Sequence, residues 1–306
     1  MTIAAVIGLG TMGPGIAATL ARGGMTVRAH DSDAAAIAAS RGLIEAADAV
    51  LDALEVPDLS GGASVSVTDD LEVCVDRAEL VVETVPEDLA LKRELFARLD
   101  GLISRDCVLA SDTSGIPISQ LQEGNSNPGR VIGMHWSNPP HIIPIVEVIA
   151  GAQTAPRVVN WMVERIRAIH LLPVVVKKDV PGFVENRVLY ALLRECIDLV
   201  EKEVIDPESL DTCISWGIGY KLSVVGPMAL LDMAGLDTYQ SVGSYLNKDL
   251  CRRDDVSSFV TALTGKKRLG IKTGGGIFVY SRDEIQALRS ARAEKLVAVR
   301  KALKGK

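Results

Sequence analysis

The sequence has no run of about 18 apolar residues, the length that spans a bilayer, so no transmembrane helix is expected. Its first apolar run, Ile3 to Leu9, has no basic flank and leads straight into glycines, which is not the pattern of a secretory signal. The five cysteines (Cys74, Cys107, Cys196, Cys213, Cys251) form no CxxC pair. An odd, scattered set points to reduced thiols in a cytoplasmic protein rather than a disulfide framework, and no metal site is expected. The chain has no excess of positive charge: 33 basic against 39 acidic side chains give a formal charge of −6. That balance argues against nucleic acid or an anionic membrane as the main partner.

What is present is an ordinary globular composition, 48% hydrophobic and 24% charged, in a chain of 306 residues, enough for about two domains. The first half alternates short β-branched runs with helical patterns. Strands are expected at 3–7, 26–29, 65–67, 80–83, 108–110, 131–134, 145–149 and 173–176, with helices near 14–23, 33–53, 88–101 and 154–169. Such alternation predicts βαβ units and a mostly parallel sheet. After Pro181-Gly182 the apolar residues fall at helical spacing (Val184, Val188, Leu192, Cys196, Leu199, Val200), and helices are expected at 183–203, 207–216, 227–233, 235–246 and 283–304. The boundary is therefore placed near 180, and 57–64, with Pro57, Gly61 and Gly62, is expected to be a loop.

Gly8-Leu9-Gly10-Thr11-Met12-Gly13 matches G-x-G-x-x-G, directly after an apolar strand and before a helix rich in small residues (Gly15, Ala17, Ala18, Ala21). Gly8 permits a tight turn, Gly10 lets the backbone approach a pyrophosphate, and Gly13 allows close packing. The helix N-terminus supplies free N–H groups and a partial positive charge for phosphates. Asp31 stands 23 residues after Gly8, at the end of the second strand, where an acid binds ribose hydroxyls. Ser32 and Asp33 follow it, with no arginine, which favours NAD over NADP. The alternative for Asp31 is a helix cap. The fold expected is an α/β Rossmann domain over 1–180, doubly wound, followed by an all-α domain over 181–306.

Histidine is scarce, four in the chain, yet His135 directly follows a buried-looking strand. Pro139-Pro140 forces a turn, after which the next apolar run returns alongside and brings Glu147 towards His135. A His–carboxylate pair suits oxidation of an alcohol: imidazole takes the O–H proton as hydride leaves the same carbon, and the carboxylate fixes the tautomer and stabilises the imidazolium. Ser114 and Asn186 are candidates to hydrogen-bond the reacting oxygen. The alternative for His135 is a packed core histidine.

These residues carry a resemblance. Over about residues 1–280 the chain resembles the L-3-hydroxyacyl-CoA dehydrogenase family, through GLGTMGPGIA (8–17), VVETVPEDLALKRELF (81–96), ASDTSGIPI (110–118), GMHWSNPP (133–140), VEVI (146–149), DVPGFVENR (179–187), GYKLSVVGPMALLDMAGLD (219–237) and GIKTGGGIF (270–278). The resemblance implies His135 as general base, Glu147 as its partner, and Ser114 and Asn186 at the substrate. It also implies Glu87, Lys92, Ser114, Asn138 and Lys272 around NAD, and a homodimer formed through the helical domain.

Two departures bear on the substrate. The family's usual N-T-S-S and H-F-F-N-P stand here as Asp112-Thr113-Ser114-Gly115 and His135-Trp136-Ser137-Asn138-Pro139, a more polar surround, with His141 close by. The stretch 41–64, lysine-rich in acyl-CoA members, holds five acids (Glu45, Asp48, Asp52, Glu55, Asp58) and one base, Arg41. CoA phosphates need Lys or Arg, so a small polar acid without a CoA tail is expected. The segment HWSNPPHIIPIVEVIAG is similar to a branch of the family, active in vitamin B6 breakdown, that oxidises a pyridine carboxylate aldehyde through its hydrate. His141 and Arg187 are candidate neighbours of such a substrate. The alternatives are an L-3-hydroxyacyl-CoA substrate or, in another class, a non-catalytic NAD-binding crystallin-like protein, which has no need of a His135–Glu147 pair.

Overall fold

The computed structural model describes residues 2–61 and 65–303, so 62–64 of the expected 57–64 loop lie outside the described residues. The chain divides into two compact units, Met1–Arg187 and Val188–Lys306.

The first unit holds eight strands: β1 (Ile3–Ile7), β2 (Thr26–His30), β3 (Ser66–Thr68), β4 (Leu80–Glu83), β5 (Val108–Ser111), β6 (Val131–Trp136), β7 (Ile145–Ala150) and β8 (Leu172–Val176). They form one sheet in the order β3-β2-β1-β4-β5-β6-β7-β8. All neighbours are parallel except β6 and β7, which run antiparallel. The order reverses between β1 and β4, and ligands of open α/β sheets bind at the carboxyl ends beside such a switch point.

The helices of this unit are α1 (Gly13–Arg22), α2 (Ala34–Ala53), α3 (Leu71–Val75), α4 (Leu89–Asp100), α5 (Ile118–Leu121), α6 (Pro156–Ala168) and the start of α7 (Glu185–Glu201). α3 and α5 are absent from the sequence expectation, being too short for a 3.6-residue period to show. Alternation along β1 explains the two cores: Ala4 and Val6 pack with Ile16, Leu20 and Ile166 on one face, and Ala5 and Ile7 pack with Val75, Phe96 and Leu99 on the other. With both faces covered, the strands are apolar on both sides.

The second unit is helical: the rest of α7, then α8 (Pro207–Cys213), α9 (Tyr220–Leu222), α10 (Pro227–Ala234), α11 (Leu236–Asp249), α12 (Ser258–Gly265) and α13 (Arg282–Leu303). The helix expected at 207–216 runs from α8 into a π-helical stretch, Ile214–Gly219. No single helix among the described residues is long and apolar enough to cross a membrane. All five cysteines are free thiols, and burial pushes those of Cys74 and Cys107 up to about 12, which leaves them inert.

Candidate active site

The glycine loop joins β1 to α1 at the switch point. Gly8 has φ +104°, a backbone that side chains rarely adopt, and a Cβ there would lie 2.8 Å from Thr84 Oγ1. A Cβ on Gly13 would come within 1.9 Å of the Gly8 carbonyl oxygen, so the turn closes only with glycine. Gly10 differs: a Cβ there meets no protein atom within 4 Å, so this side of the loop is open. Met12 caps α1 without a side-chain hydrogen bond, leaving the helix start to its backbone amides, with Thr11 and Met12 leading into it.

Asp31 secures this loop from the end of β2. Its Oδ2 accepts the Leu9 N–H at 2.6 Å, and its Oδ1 accepts the Asp33 N–H at 2.8 Å. The cap of α2 is Asp33, whose carboxylate accepts from Ala35 N, so the cap alternative for Asp31 is not the one realised. An uncapped helix start, a bare Gly10 and an acid after β2 together fit a dinucleotide.

At the ends of β4 and β5 lies a buried polar knot. Glu83 is fully buried; it accepts the Lys92 ammonium at 2.6 Å, the Ser111 hydroxyl at 2.6 Å and the Val85 N–H at 2.7 Å. Burial pushes the Glu83 carboxyl up, and the partners only partly pull it back. Lys92 is buried too, bonded to Glu83 and Val85 O, with Glu87 Oε2 at 3.5 Å. Glu87 Oε1 accepts the Thr113 hydroxyl at 2.7 Å and the Ser114 and Gly115 amides at 3.0 Å each. Glu87 thus holds the turn that exposes Ser114. Glu83 is absent from the sequence-based candidates; an acid closing the apolar run Leu80-Val81-Val82 is the signal that marks it.

His135 and Glu147 are direct partners across the antiparallel β6–β7 pair. Pro139-Pro140 lies in the intervening turn, where the Ile142 and Ile143 amides donate to Pro139 O. His135 sits within β6, which extends to Trp136, rather than just after a strand ending at Met134. Its Nδ1 lies 2.8 Å from Glu147 Oε2, both side chains buried. The other carboxylate oxygen, Oε1, accepts the Val184 and Glu185 amides at 3.0 and 3.2 Å. Burial pushes the Glu147 carboxyl up, yet the His135 bond and the two amides outweigh it and hold it below its ordinary value. For His135, burial favours the neutral ring, but the Glu147 bond and the charges of Asp112, Glu147 and Glu185 prevail and raise its pKa. The Phe183 ring packs 5.8 Å from the imidazole.

The remaining candidates separate. Asn186 Nδ2 donates to Ser114 O at 2.8 Å, so those two meet, with the Ser114 side chain exposed. Asn138 begins the turn after β6, across a cis bond to Pro139. Lys272 is an exposed residue of a 3-10 turn, Ile271–Thr273, in the second unit. His141 packs against α1, its Nδ1 within 2.7 Å of where a Cβ on Gly15 would stand. Arg187 donates to Pro181 O. Ser137 hydrogen-bonds both carboxylate oxygens of Glu185, and Glu185 joins His135 and Glu147 in a group whose ligand atoms all lie within 4.8 Å. That spacing would suit a metal, but the hydrogen bonds already in place describe a His–Glu pair with a third carboxylate beside it.

Three acids of the stretch 41–64 have partners. Arg22 of α1 binds Asp48 at 2.9 Å and Asp52 at 2.6 Å, and donates to Val56 O. Asp58 accepts the Ser60 amide. The acids are thus partly neutralised, and what remains against CoA is the want of lysine, with Glu45 and Glu55 exposed.

The family model for the NAD binding domain of 3-hydroxyacyl-CoA dehydrogenase matches residues 3–180, and that for its C-terminal domain matches 182–280. The chain is 59% identical over 303 residues to the 5-formyl-3-hydroxy-2-methylpyridine 4-carboxylate 5-dehydrogenase of Mesorhizobium japonicum, covering 99% of this chain and 98% of that one. It is 37% identical over 231 residues to an L-carnitine dehydrogenase of Streptomyces griseus, covering 76% and 69%. A crystal structure of a 5-formyl-3-hydroxy-2-methylpyridine 4-carboxylic acid 5-dehydrogenase, an NAD+-dependent dismutase, matches with a TM-score of 0.98 at 58% identity over the whole of both chains. The chain therefore belongs to the 3-hydroxyacyl-CoA dehydrogenase family and is an NAD-dependent dehydrogenase.

Proposed function

We propose that this dehydrogenase acts on 5-formyl-3-hydroxy-2-methylpyridine 4-carboxylate, with His135 as general base and Glu147 as its orienting partner. The observation that carries the substrate is the 59% identity over nearly the full length of both chains with the Mesorhizobium enzyme. The want of lysine in 41–64 supports a substrate without CoA. NAD would be held by Gly8, Gly10, Gly13 and Asp31, with Glu87, Lys92 and Asn138 near it, and would supply the hydride acceptor for the oxidation and the donor for the reduction. The balance is then two aldehydes and one water giving one acid and one alcohol.

In this reading Glu147 holds the proton of His135 on Nδ1, leaving Nε2 free to take a proton from the aldehyde hydrate as its carbon is oxidised. The imidazolium that forms is stabilised by Glu147, itself fixed by the Val184 and Glu185 amides. Ser114 and Asn186 hold the reacting oxygen, and Glu87 sets the Ser114 turn. In the reduction His135 gives the proton to the second aldehyde's oxygen. No cysteine nucleophile is needed.

We also infer a cytoplasmic homodimer associating through the second unit, where Trp216, Met228 and Met233 are exposed. Light scattering tests that state. The substrate is tested by supplying NAD with either the pyridine aldehyde or 3-hydroxybutyryl-CoA. Turnover of the aldehyde supports the reading, and preferential turnover of the thioester would replace it with the CoA alternative.

A further inference from the structure

Ser137 follows β6 two residues after His135, so the two side chains leave the chain on the same side. Ser137 is buried, and its hydroxyl donates to both carboxylate oxygens of Glu185, the first residue of α7. The Glu185 amide donates to Glu147 Oε1 at 3.2 Å, which anchors this acid on the His135–Glu147 pair through its own backbone. Its side chain is half-buried and stands with His135 and Glu147 in a group whose nitrogen and oxygen atoms all lie within 4.8 Å of one another. Among the described residues it makes no ion pair with a lysine or arginine. One hydroxyl proton leaves most of a carboxylate's roughly four acceptor positions open. The site therefore offers the reacting carbon a second acceptor beside its histidine base.

We propose that Glu185 binds the second hydroxyl of the aldehyde hydrate, the oxygen that an alcohol substrate lacks. The inference rests on the reading of a pyridine aldehyde as substrate. An alcohol brings one O–H to its base; a hydrate, formed by adding water to the carbonyl carbon, brings two. In the oxidation His135 takes the proton of one hydroxyl, that oxygen becomes a carbonyl, and the C–H bond breaks with its electron pair leaving as hydride for NAD. The second hydroxyl stays on the carbon as the O–H of the acid, which then ionises to solvent. As hydride leaves, positive charge builds on the carbon and this O–H grows more acidic. Its bond to a carboxylate therefore strengthens towards the transition state, the kind of contact that raises rate. The substrate brings Glu185 no rival donor beside the reacting carbon. Its 4-carboxylate is itself an acceptor, and its 3-hydroxyl lies beyond that carboxylate on the ring. The unhydrated aldehyde has no O–H at this carbon, so in the reduction Glu185 has nothing to bind.

Glu185→Gln keeps the size and removes the charge. Wild type and variant are compared in two reactions of the pyridine aldehyde, acid formed with excess NAD and alcohol formed with excess NADH, each quantified by chromatography. The ratio of oxidation to reduction in kcat/KM is expected to fall by roughly ten- to a hundredfold, the worth of one hydrogen bond to a charged group. A charge effect on the base moves the ratio the other way. Burial favours the neutral imidazole, but the Glu147 bond and the neighbouring carboxyls, Glu185 among them, raise the His135 pKa. Losing one of them favours the free base that oxidation needs over the imidazolium that reduction needs. A general disturbance of the site lowers both rates and leaves the ratio alone. Ser137→Ala unties the carboxylate, is expected to lower the ratio by a smaller factor, and serves if Glu185→Gln fails to fold. A ratio within about threefold of the wild type in the folded variants, or a rise, would overturn the proposal. Wild-type protein that forms neither product overturns the substrate reading, and this inference with it.

Discussion

Replacing Glu147 by glutamine probes the His–Glu pair with almost no change of volume. Glu147 uses both oxygens, Oε2 at 2.8 Å from His135 Nδ1 and Oε1 for the Val184 and Glu185 amides. Glutamine has one oxygen to offer. If that oxygen keeps the two amides, its NH2 group points at Nδ1, which becomes an acceptor; the ring proton then moves to Nε2, the nitrogen that must be bare to act as base. If the side chain flips, two backbone donors face an NH2 group and lose their acceptor, destabilising the turn before α7 by about 1–3 kcal/mol. In either orientation the imidazolium loses its charged partner. A wrong tautomer in a comparable pair lowers kcat by about 10^4-fold, equal to some 5 kcal/mol of barrier. Glu147→Gln is therefore expected to lose about three to four orders of magnitude in kcat for NAD-coupled oxidation while binding NAD normally by fluorescence titration. Retention of a tenth or more of wild-type kcat would refute the assignment of Glu147 as the partner of a histidine base.

The glycine loop separates folding from binding. Gly13→Ala places a Cβ 1.9 Å from the Gly8 carbonyl oxygen and is expected to lower both Tm and NAD affinity, the latter by a hundredfold or so. Gly10→Ala meets no protein atom and is expected to leave Tm unchanged while weakening NAD, measured by calorimetry and thermal melting on the same samples. Asp112 stands at about 8 in the folded chain against about 3.9 unfolded, so its burial costs stability increasingly as pH rises between those values. Asp112→Asn should accordingly melt higher than the wild type at pH 7, with the gap closing near pH 4. Arg22→Ala leaves Asp48, Asp52 and Val56 O without their donor and is expected to destabilise the α1–α2 packing by about 1–3 kcal/mol in urea titration.

Long-period features were legible in the sequence and long-range ones were not. The return of β7 beside β6 follows from Pro139-Pro140 and two apolar runs, and β1 and β4 are bounded by Gly8 and by Glu83 as their composition suggests. The antiparallel register that sets His135 opposite Glu147 is a consequence of that turn. By contrast, the Arg22 ion pairs join residues 26 and 30 positions apart on two helices, and no local pattern announces them. Lys92 lies in a helix with mixed charge, and only the fold shows that its ammonium is buried on Glu83. Asp112 and Ser137 stood out as changes of residue type, but their partners Trp136 N–H and Glu185 come from another strand and another helix.

The central claim, a His135-dependent NAD dehydrogenase acting on a pyridine aldehyde, is tested by product analysis. Purified protein is given catalytic NAD and 5-formyl-3-hydroxy-2-methylpyridine 4-carboxylate, and acid and alcohol are quantified by chromatography beside a His135→Asn control. Equal amounts of the two products, formed by the wild type and absent from the control, are predicted. No product from the aldehyde, alongside rapid NAD reduction with 3-hydroxybutyryl-CoA, would contradict it.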